Sequence, residues 1–186
     1  MKKVCIDIDD VIFKTASHIL ETLGLFFNEQ YSINSLSIYD IEECLKLPSD
    51  IVTDAIDIAV SNEYPELEKD SRKTIKWLSQ FYDITLLTSR NGSEYLDCTL
   101  DALANRDIIY NSLRFGKDKV SFINSMSIEV FIEDNPEYIK DVVDTCNTTV
   151  LVYDKPWNKQ FKESQYLHRV YNWQEVKEWF MIKLGG

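Results

Sequence analysis

Acidic and polar side chains stand directly after three short apolar runs of this sequence. Asp7 and Asp9 follow the first run, Thr88 ends the second, and Glu133 and Asp134 follow the third. Carboxylates that are crowded together repel one another unless a cation neutralises them. Oxygen ligands without cysteine or histidine favour magnesium over zinc, and a magnesium ion held by a few carboxylates leaves positions for a phosphate group.

Two further features suit the binding of a phosphoryl group. The hydroxyl of Thr88 is a hydrogen-bond donor and Lys119 carries a point positive charge, and both match phosphoryl oxygens. A nucleophilic carboxylate, a second carboxylate, a metal ion, a hydroxyl and a lysine together make a phosphoryl-transfer site. The four cysteines are isolated in the sequence, with no Cys-x-x-Cys pair, so a zinc site is not expected.

The elements that must position these groups alternate between strands and helices. Short runs rich in β-type residues predict strands at residues 4–6, 84–88, 108–110, 130–132 and 149–153. Apolar residues at helical spacing predict helices at residues 12–27, 38–47, 51–60, 71–81, 94–104, 119–126, 138–143 and 173–184. This alternation predicts an α/β fold with a doubly wound, Rossmann-like parallel sheet, in which ligands bind beyond the carboxyl ends of the strands. The acids and Thr88 are therefore expected to meet at one edge of the sheet.

Length and charge limit the classes of function. The 186 residues fit one domain that carries a modest insertion. The net charge of −11 argues against a long nucleic acid as partner, because such binding requires a basic surface, but it allows a small phosphorylated substrate. The sequence has neither the apolar stretch of a secretory signal nor the roughly 20 apolar residues of a membrane span, so a cytoplasmic protein without a membrane partner is expected.

Four ordered segments resemble the motifs of one known family. They are Asp7-Ile8-Asp9-Asp10-Val11, Leu86-Leu87-Thr88, Lys119 at the predicted start of a helix, and Phe131-Ile132-Glu133-Asp134-Asn135-Pro136. This set, which spans residues 3–136, resembles the motifs of hydrolases of the haloacid dehalogenase superfamily. The resemblance implies a core of that fold and a two-step phosphoryl transfer.

The resemblance also implies a role for each of these residues. Asp7 would be the nucleophile and form an aspartyl phosphate, while Asp9 would protonate the leaving oxygen and then activate the hydrolytic water. Magnesium would be held by Asp7, the backbone carbonyl of Asp9 and Asp134, and the phosphoryl oxygens would be bound by Thr88 and Lys119. Dehalogenases of the superfamily lack the second acid, whereas phosphatases have it, because an alkoxide leaving group needs a proton. Asp9 therefore favours a phosphatase.

Several of these assignments have alternatives at the level of sequence. Lys117 competes with Lys119 for the place beside the phosphate. Glu133 competes with Asp134 as the direct metal ligand, and the other acid of the pair would then act through water. Arg90 fits either a contact with the substrate or a solvated arginine of a loop.

The first acidic cluster also has structural interpretations. Asp7 and Asp9 could instead cap the following helix, as acids at strand ends often do, but the other three motifs favour the site. Asp10, where relatives often have glycine, is interpreted as an acid near the N-terminus of a helix, stabilised by the helix dipole, rather than as a site residue.

The residues between the first and second predicted strands form an insertion. Residues 15–69 are largely helical by pattern, and in this superfamily an insertion at that point resembles a small helical cap that closes over the site. The expected division is therefore a core at residues 1–14 and 70–186 and a cap at residues 15–69.

Two local segments bear on the substrate. Residues 62–68 resemble the return from cap to core in 5'(3')-deoxyribonucleotidases, and residues 153–158 resemble a turn common among bacterial relatives of that branch. This resemblance implies a nucleoside monophosphate as substrate, with Tyr64 as the first candidate for stacking on the base. The alternatives are a phosphatase for another small metabolite, such as a sugar phosphate, or a catalytically slow binding or regulatory protein of the same fold.

Overall fold

The computed structural model describes residues 1–62 and 65–185, and within them six parallel strands form one sheet. In chain order the strands are β1 (Lys2–Ile6), β2 (Tyr82–Thr88), β3 (Ser112–Phe115), β4 (Val130–Glu133), β5 (Thr149–Tyr153) and β6 (Leu167–Val170). They lie side by side in the order β3-β2-β1-β4-β5-β6, so the progress of the chain across the sheet reverses at β1. The predicted parallel α/β fold is confirmed, and the reversal marks the crevice where doubly wound sheets bind ligands.

The central strands are buried on both faces, as expected for a parallel sheet covered by helices. In β1, Val4 and Ile6 pack into the core on one face of the sheet, and Cys5 packs into the core on the other face. In β4, Ile132 lies on the first face and Phe131 on the second, because successive side chains of a strand alternate. Burial on both sides explains why these strands are continuous apolar runs in the sequence.

The helices between the strands follow the predicted order. They are α1 (Thr15–Phe27), α2 (Ile41–Leu45), α3 (Ser49–Asp57), α4 (Ser71–Leu78), α5 (Gly92–Asn105), α6 (Lys119–Met126), α7 (Pro136–Thr145) and α8 (Trp173–Gly185). The start of α6 is set by Asp118, whose side chain accepts a hydrogen bond from the backbone N–H of Ser121, and this places Lys119 in the first turn. Among these described helices, none combines the length and the apolar character needed to cross a bilayer.

The strand predicted at residues 108–110 is wrong. Ile108 is buried in the core, but it lies in the loop after α5, and β3 begins only at Ser112. Between them, the backbone N–H of Asn111 donates to the carbonyl of Ile84 at 2.8 Å, and the side chain of Asn111 accepts from the N–H of Ile84 at 2.8 Å. The apolar pattern at residues 108–110 therefore comes from a loop that Ile108 anchors in the core, and the strand follows it.

Two other elements differ from the sequence-based expectation. The strand β6 has no predicted counterpart, because it is short and its two middle residues, His168 and Arg169, are polar. The helix predicted at residues 38–47 is reduced to α2, since Asp40 caps it by accepting from the N–H of Glu43, and the backbone leaves the helix at Lys46 with a φ of 55°.

Helices α1, α2 and α3 pack on one another and share a hydrophobic cluster with Trp157. Trp157 lies in a short 3-10 helix after β5 (Pro156–Asn158), so this cluster joins the helical segment to the sheet. The chain enters and leaves the segment along two adjacent stretches. In these stretches the backbone N–H of Lys14 donates to the carbonyl of Glu66 at 2.8 Å. The backbone N–H of Glu68 donates to the carbonyl of Ile12, also at 2.8 Å.

Candidate active site

Three neighbouring strands end at one edge of the sheet and carry most of the predicted site residues there. β1 lies between β2 and β4, and the N–H of Asp7 donates to the carbonyl of Ile132 at 3.0 Å, which continues the pairing of β1 with β4. Thr88 is the last residue of β2 and Glu133 is the last residue of β4. The structure therefore brings these residues together in the crevice that the strand order creates.

Lys119 lies between two of the carboxylates. Its side chain is only 2% exposed, and its Nζ donates to Oδ1 of Asp7 and, at 2.8 Å, to Oε2 of Glu133. Burial alone would lower the pKa of Lys119, but the charges of these two acids outweigh it and raise the pKa above its ordinary value. Lys119 therefore stays protonated beside Asp7, whereas Lys117 is exposed and lines the wall of a cavity.

Asp7, Glu133 and Asp134 form a buried cluster whose candidate ligand oxygens all lie within 4.8 Å of one another. Burial, followed by the charge of Glu133, raises the pKa of Asp7 well above its ordinary range. The same two causes, in the same order, raise the pKa of Asp134. Lys119 pairs with two of these three buried carboxylates, and the raised pKa values of Asp7 and Asp134 indicate that the negative charge of the cluster is not fully compensated.

This charge imbalance and the donor set fit a magnesium ion. The cluster offers carboxylate oxygens and contains neither a thiol nor an imidazole, which is the ligand type that magnesium prefers. A divalent cation would neutralise the excess negative charge, which is one cause of the raised pKa values of Asp7 and Asp134.

The hydrogen bonds of the cluster favour Asp134 over Glu133 as the direct ligand. Oε1 of Glu133 accepts from the backbone N–H groups of Asp134 and Asn135, both at 3.0 Å, while its Oε2 accepts from Lys119. Both oxygens of Glu133 are therefore occupied. In Asp134, the Nε1–H of Trp157 donates to Oδ2 at 3.0 Å, and within the described residues no hydrogen bond engages Oδ1.

Asp9 is held from three sides. Arg90 donates from Nη2 to Oδ1 at 2.6 Å and from Nε to Oδ2 at 3.0 Å. The hydroxyl of Thr15, the first residue of α1, donates to Oδ1 at 2.7 Å, and that of Thr88 lies 3.5 Å from Oδ2. Burial alone would raise the pKa of Asp9, but the charge and hydrogen bonds of Arg90 outweigh it, so the pKa lies below its ordinary value.

Arg90 is not a solvated loop residue, so that alternative is wrong. Its side chain is 6% exposed, and it faces Asp9. Its Nη1 also donates to the hydroxyl of Thr99 at 3.0 Å, and its backbone N–H donates to the hydroxyl of Thr88 at 3.2 Å. A contact between Arg90 and the substrate stays a prediction.

Asp10 has the structural role that its position suggested. Both of its carboxylate oxygens lie 3.1 Å from the backbone N–H of Ala16 in the first turn of α1. Its φ of 57° lies in the left-handed region, which explains why glycine would suit this position. Burial raises the pKa of Asp10 to about 7, although the charge of Lys155, 3.9 Å away, opposes this shift.

Trp157 and Asn158 contact the site but were not among the predicted site residues. Besides the bond from Trp157 to Asp134, Nδ2 of Asn158 donates to the backbone carbonyl of Asp134 and to that of Tyr153, both at 2.9 Å. The signal in the sequence was a Pro-Trp-Asn turn directly after a predicted strand of the same sheet. Its indole and amide are donors placed at the edge where the acids lie.

A cavity of about 540 Å³ lies between this site and the helical segment, a size in the range of small-molecule pockets. On the side of the sheet it reaches Asp9, Asp10 and Arg90. The side formed by the helical segment is mostly apolar or aromatic and includes Ile19, Leu36, Tyr39, Val52 and Ile56, while Tyr95 of α5 and Trp157 also line the cavity. The predicted stacking residue Tyr64 lies outside the described residues.

Comparison with known proteins identifies the fold. No protein-family model matches the sequence. The chain is 23% identical over 183 residues to a Bacillus subtilis protein named "Putative nucleotidase YqfW", and the match covers 96% of this chain and 93% of that protein. A haloacid dehalogenase-like hydrolase from Streptococcus pneumoniae superposes with a TM-score of 0.65 at 13% identity, covering 97% of this chain and 98% of that one. The B. subtilis "putative HAD-hydrolase YfnB", solved with bound magnesium, superposes with a TM-score of 0.63 at 12% identity, covering 95% and 97%. The chain therefore has the fold of haloacid dehalogenase-type hydrolases, which confirms the fold that the resemblance implied.

Proposed function

We propose that this chain is a magnesium-dependent phosphomonoesterase that forms an aspartyl phosphate on Asp7, and that it acts on nucleoside monophosphates, in the first place deoxyribonucleotides. The observation that carries this proposal is the arrangement at the end of β1. There Asp7 lies against Lys119 and beside Asp134, and Asp9, two residues on, faces a cavity of about 540 Å³. A nucleophile, an acid–base group and charge for phosphoryl oxygens therefore lie together.

Magnesium is the proposed cofactor, held by Asp7, Asp134 and the backbone carbonyl of Asp9. The buried, under-compensated carboxylates support this choice, and the structural neighbour YfnB was solved with magnesium. When bound, the ion would neutralise charge on the phosphoryl oxygens. Glu133, whose oxygens are both occupied, would hold Lys119 and the turn after β4 in place.

The chemistry follows from what each side chain can do. A carboxylate oxygen of Asp7 forms a bond to phosphorus while the ester P–O bond breaks, and Asp9, in its protonated form, gives its proton to the leaving alkoxide. Lys119 and Thr88 bind the phosphoryl oxygens as charge moves onto them. Asp9, now a carboxylate, then takes a proton from water, and the water oxygen attacks phosphorus. The bond from phosphorus to Asp7 breaks, and phosphate is released.

The helical segment is the proposed cap, at residues 15–69, with the core at residues 1–14 and 70–186. Its wall of the cavity is largely apolar, which suits a substrate whose organic part is uncharged. Aromatic rings on that wall, such as Tyr39, are suitable for stacking on a base, and each such stack contributes about 1–3 kcal/mol. Together with the nucleotidase name of the B. subtilis relative, these features support a nucleoside monophosphate.

The test is phosphate release with magnesium, measured over deoxyribonucleotides, ribonucleotides, sugar phosphates and p-nitrophenyl phosphate. We expect a deoxyribonucleoside monophosphate to have the highest kcat/KM. Asp7→Asn should abolish turnover of every substrate because a neutral amide does not attack phosphorus, while Asp97→Asn, which alters an exposed acid of α5, should retain it. A folded Asp7→Asn variant within tenfold of wild type would exclude the covalent route. A sugar phosphate that surpasses every nucleotide would refute the substrate class but not the phosphatase chemistry.

A further inference from the structure

Arg90 and Asp9 form a two-point ion pair that fixes the orientation of the carboxylate. The guanidinium donates from Nη2 to one oxygen at 2.6 Å and from Nε to the other at 3.0 Å. A planar fork that meets both oxygens of a carboxylate restricts its rotation, which a single ammonium group would not do. The side chain of Arg90 is 6% exposed, so little water competes for these bonds.

The arginine is itself held in place by its surroundings. Its third nitrogen, Nη1, donates to the hydroxyl of Thr99 in α5 at 3.0 Å. Asn91 caps α5 by accepting from the N–H of Ser93, and Gly92 packs so tightly that a Cβ there would lie 2.9 Å from Cβ of Phe115. The loop that carries Arg90 is therefore tied to both α5 and the end of β3.

We propose that Arg90 is a positioning residue that holds Asp9 as an oriented carboxylate for the second chemical step, the hydrolysis of the aspartyl phosphate. This inference rests on the proposed function. In that step the Asp9 carboxylate accepts a proton from water, the water oxygen bonds to phosphorus, and the P–O bond to Asp7 breaks, so that Asp7 leaves as a carboxylate. An ion-paired carboxylate is the form that this base requires, and Thr15, which donates at 2.7 Å, orients it from the side of α1.

Loss of the guanidinium should affect the two chemical steps differently. Without Arg90, Asp9 loses its fixed orientation, and misplacement of a catalytic group by about 1 Å costs about 10²-fold. If the second step slows, the phosphorylated enzyme accumulates. With p-nitrophenyl phosphate, whose leaving group hardly needs a proton, the first turnover should then be fast and the following ones slow.

The experiment is stopped-flow measurement of p-nitrophenolate release by wild type, Arg90→Gln and Arg90→Lys. We expect both variants to show a burst that approaches one equivalent of enzyme, followed by a steady rate about 10- to 100-fold below wild type. Acid quenching should trap a matching amount of aspartyl phosphate. The lysine variant keeps the positive charge, which protects the fold, but it cannot bind both oxygens. Arg72→Gln, at an exposed arginine paired with Asp107, is the matched control and should behave as wild type.

A double-mutant cycle tests whether Arg90 acts through Asp9. In an Asp9→Asn background, Arg90→Gln should change the steady rate by less than about twofold, because the group that it positions is already lost. A full additional loss in that background would overturn the proposal.

The other outcomes separate the possible roles of Arg90. A raised KM without a burst would overturn the proposal and make Arg90 a substrate contact. A loss confined to nucleotides, with p-nitrophenyl phosphate unaffected, would overturn it in favour of the protonation step. If wild type releases no phosphate from any substrate, the proposed function fails and this inference with it. If wild type is active and neither variant accumulates aspartyl phosphate, the inference about Arg90 alone fails.

Discussion

Replacing Lys119 by methionine should destabilise the fold in a way that depends on charge. Lys119 is 2% exposed and lies between Asp7 and Glu133, both also buried. Leaving one side of a buried ion pair uncompensated costs about 3–5 kcal/mol, and methionine of similar length leaves little cavity to add to this loss. Since a domain is stable by only about 5–15 kcal/mol, the variant should lose a large part of its free energy of unfolding near neutral pH.

The loss of stability in Lys119→Met should become smaller as the pH falls. Burial already raises the pKa of Asp7, and without the lysine it should rise further, so the folded variant binds protons more tightly than the unfolded chain. Its stability must then recover as the pH falls from about 7.5 to about 5, relative to wild type. Added magnesium should also restore part of the loss, because a cation that binds only the folded state stabilises it.

Urea unfolding monitored by circular dichroism at both pH values measures this effect. The matched control is Lys117→Met, which removes an exposed lysine two residues earlier and should change stability by no more than about 0.5 kcal/mol. If Lys119→Met lost less than about 1 kcal/mol near neutral pH, or if its deficit did not shrink on acidification, the role of Lys119 as the buried counter-charge would be refuted.

Three further predictions concern the metal and the neighbouring acids. Activity should disappear with a chelator and return with magnesium more fully than with calcium, because calcium prefers more ligands and longer bonds; full activity in excess chelator contradicts this. Trp157→Phe keeps the ring but removes the N–H that reaches Asp134 at 3.0 Å, so magnesium affinity, measured by calorimetry, should fall about 10- to 100-fold. Trp77→Phe, at a tryptophan of α4, should leave that affinity unchanged, and equal effects of the two would refute the orienting role. The pKa of Asp10 is raised from 3.8 to about 7, so its contribution to stability is complete below 3.8 and is lost as the pH rises to about 7. Urea titrations of Asp10→Asn should therefore show a flatter pH dependence than wild type over that interval, and parallel curves would contradict the assignment.

The parts of the fold that sequence pattern predicts are those where burial dictates composition. β5 was predicted at residues 149–153 and α6 at residues 119–126, and both have these bounds. β5 is sandwiched between two layers of core, so its sequence is almost wholly apolar. The edge strands β3 and β6 have polar residues in part and pair on one side only, so they lack this signature.

Some residues of the candidate site could likewise be placed from sequence, and others could not. Asp7, Thr88 and Glu133 could be placed from sequence because each stands at or just after the end of a central strand, and parallel strands bring their carboxyl ends together. The choice between Lys117 and Lys119 could not be made by that argument. It depends on where the helix begins, and the cap formed by Asp118 decides it by turning the next residue inward. The pairing of Arg90 with Asp9 depends on side-chain directions across a loop, which no periodicity encodes.

Two of the contacts that the sequence did not predict link carboxylates of the site to the helical segment. Thr15 begins α1 and donates to Asp9, while Trp157 packs among the helices of that segment and donates to Asp134. The orientation of both carboxylates therefore depends on how α1–α3 pack against the sheet. A substitution that loosens this packing, far from phosphorus, should thus disturb the acid–base group and the metal ligand together. Strand ends bring the acids close to one another, and the docking of the helices contributes to the orientation of two of them.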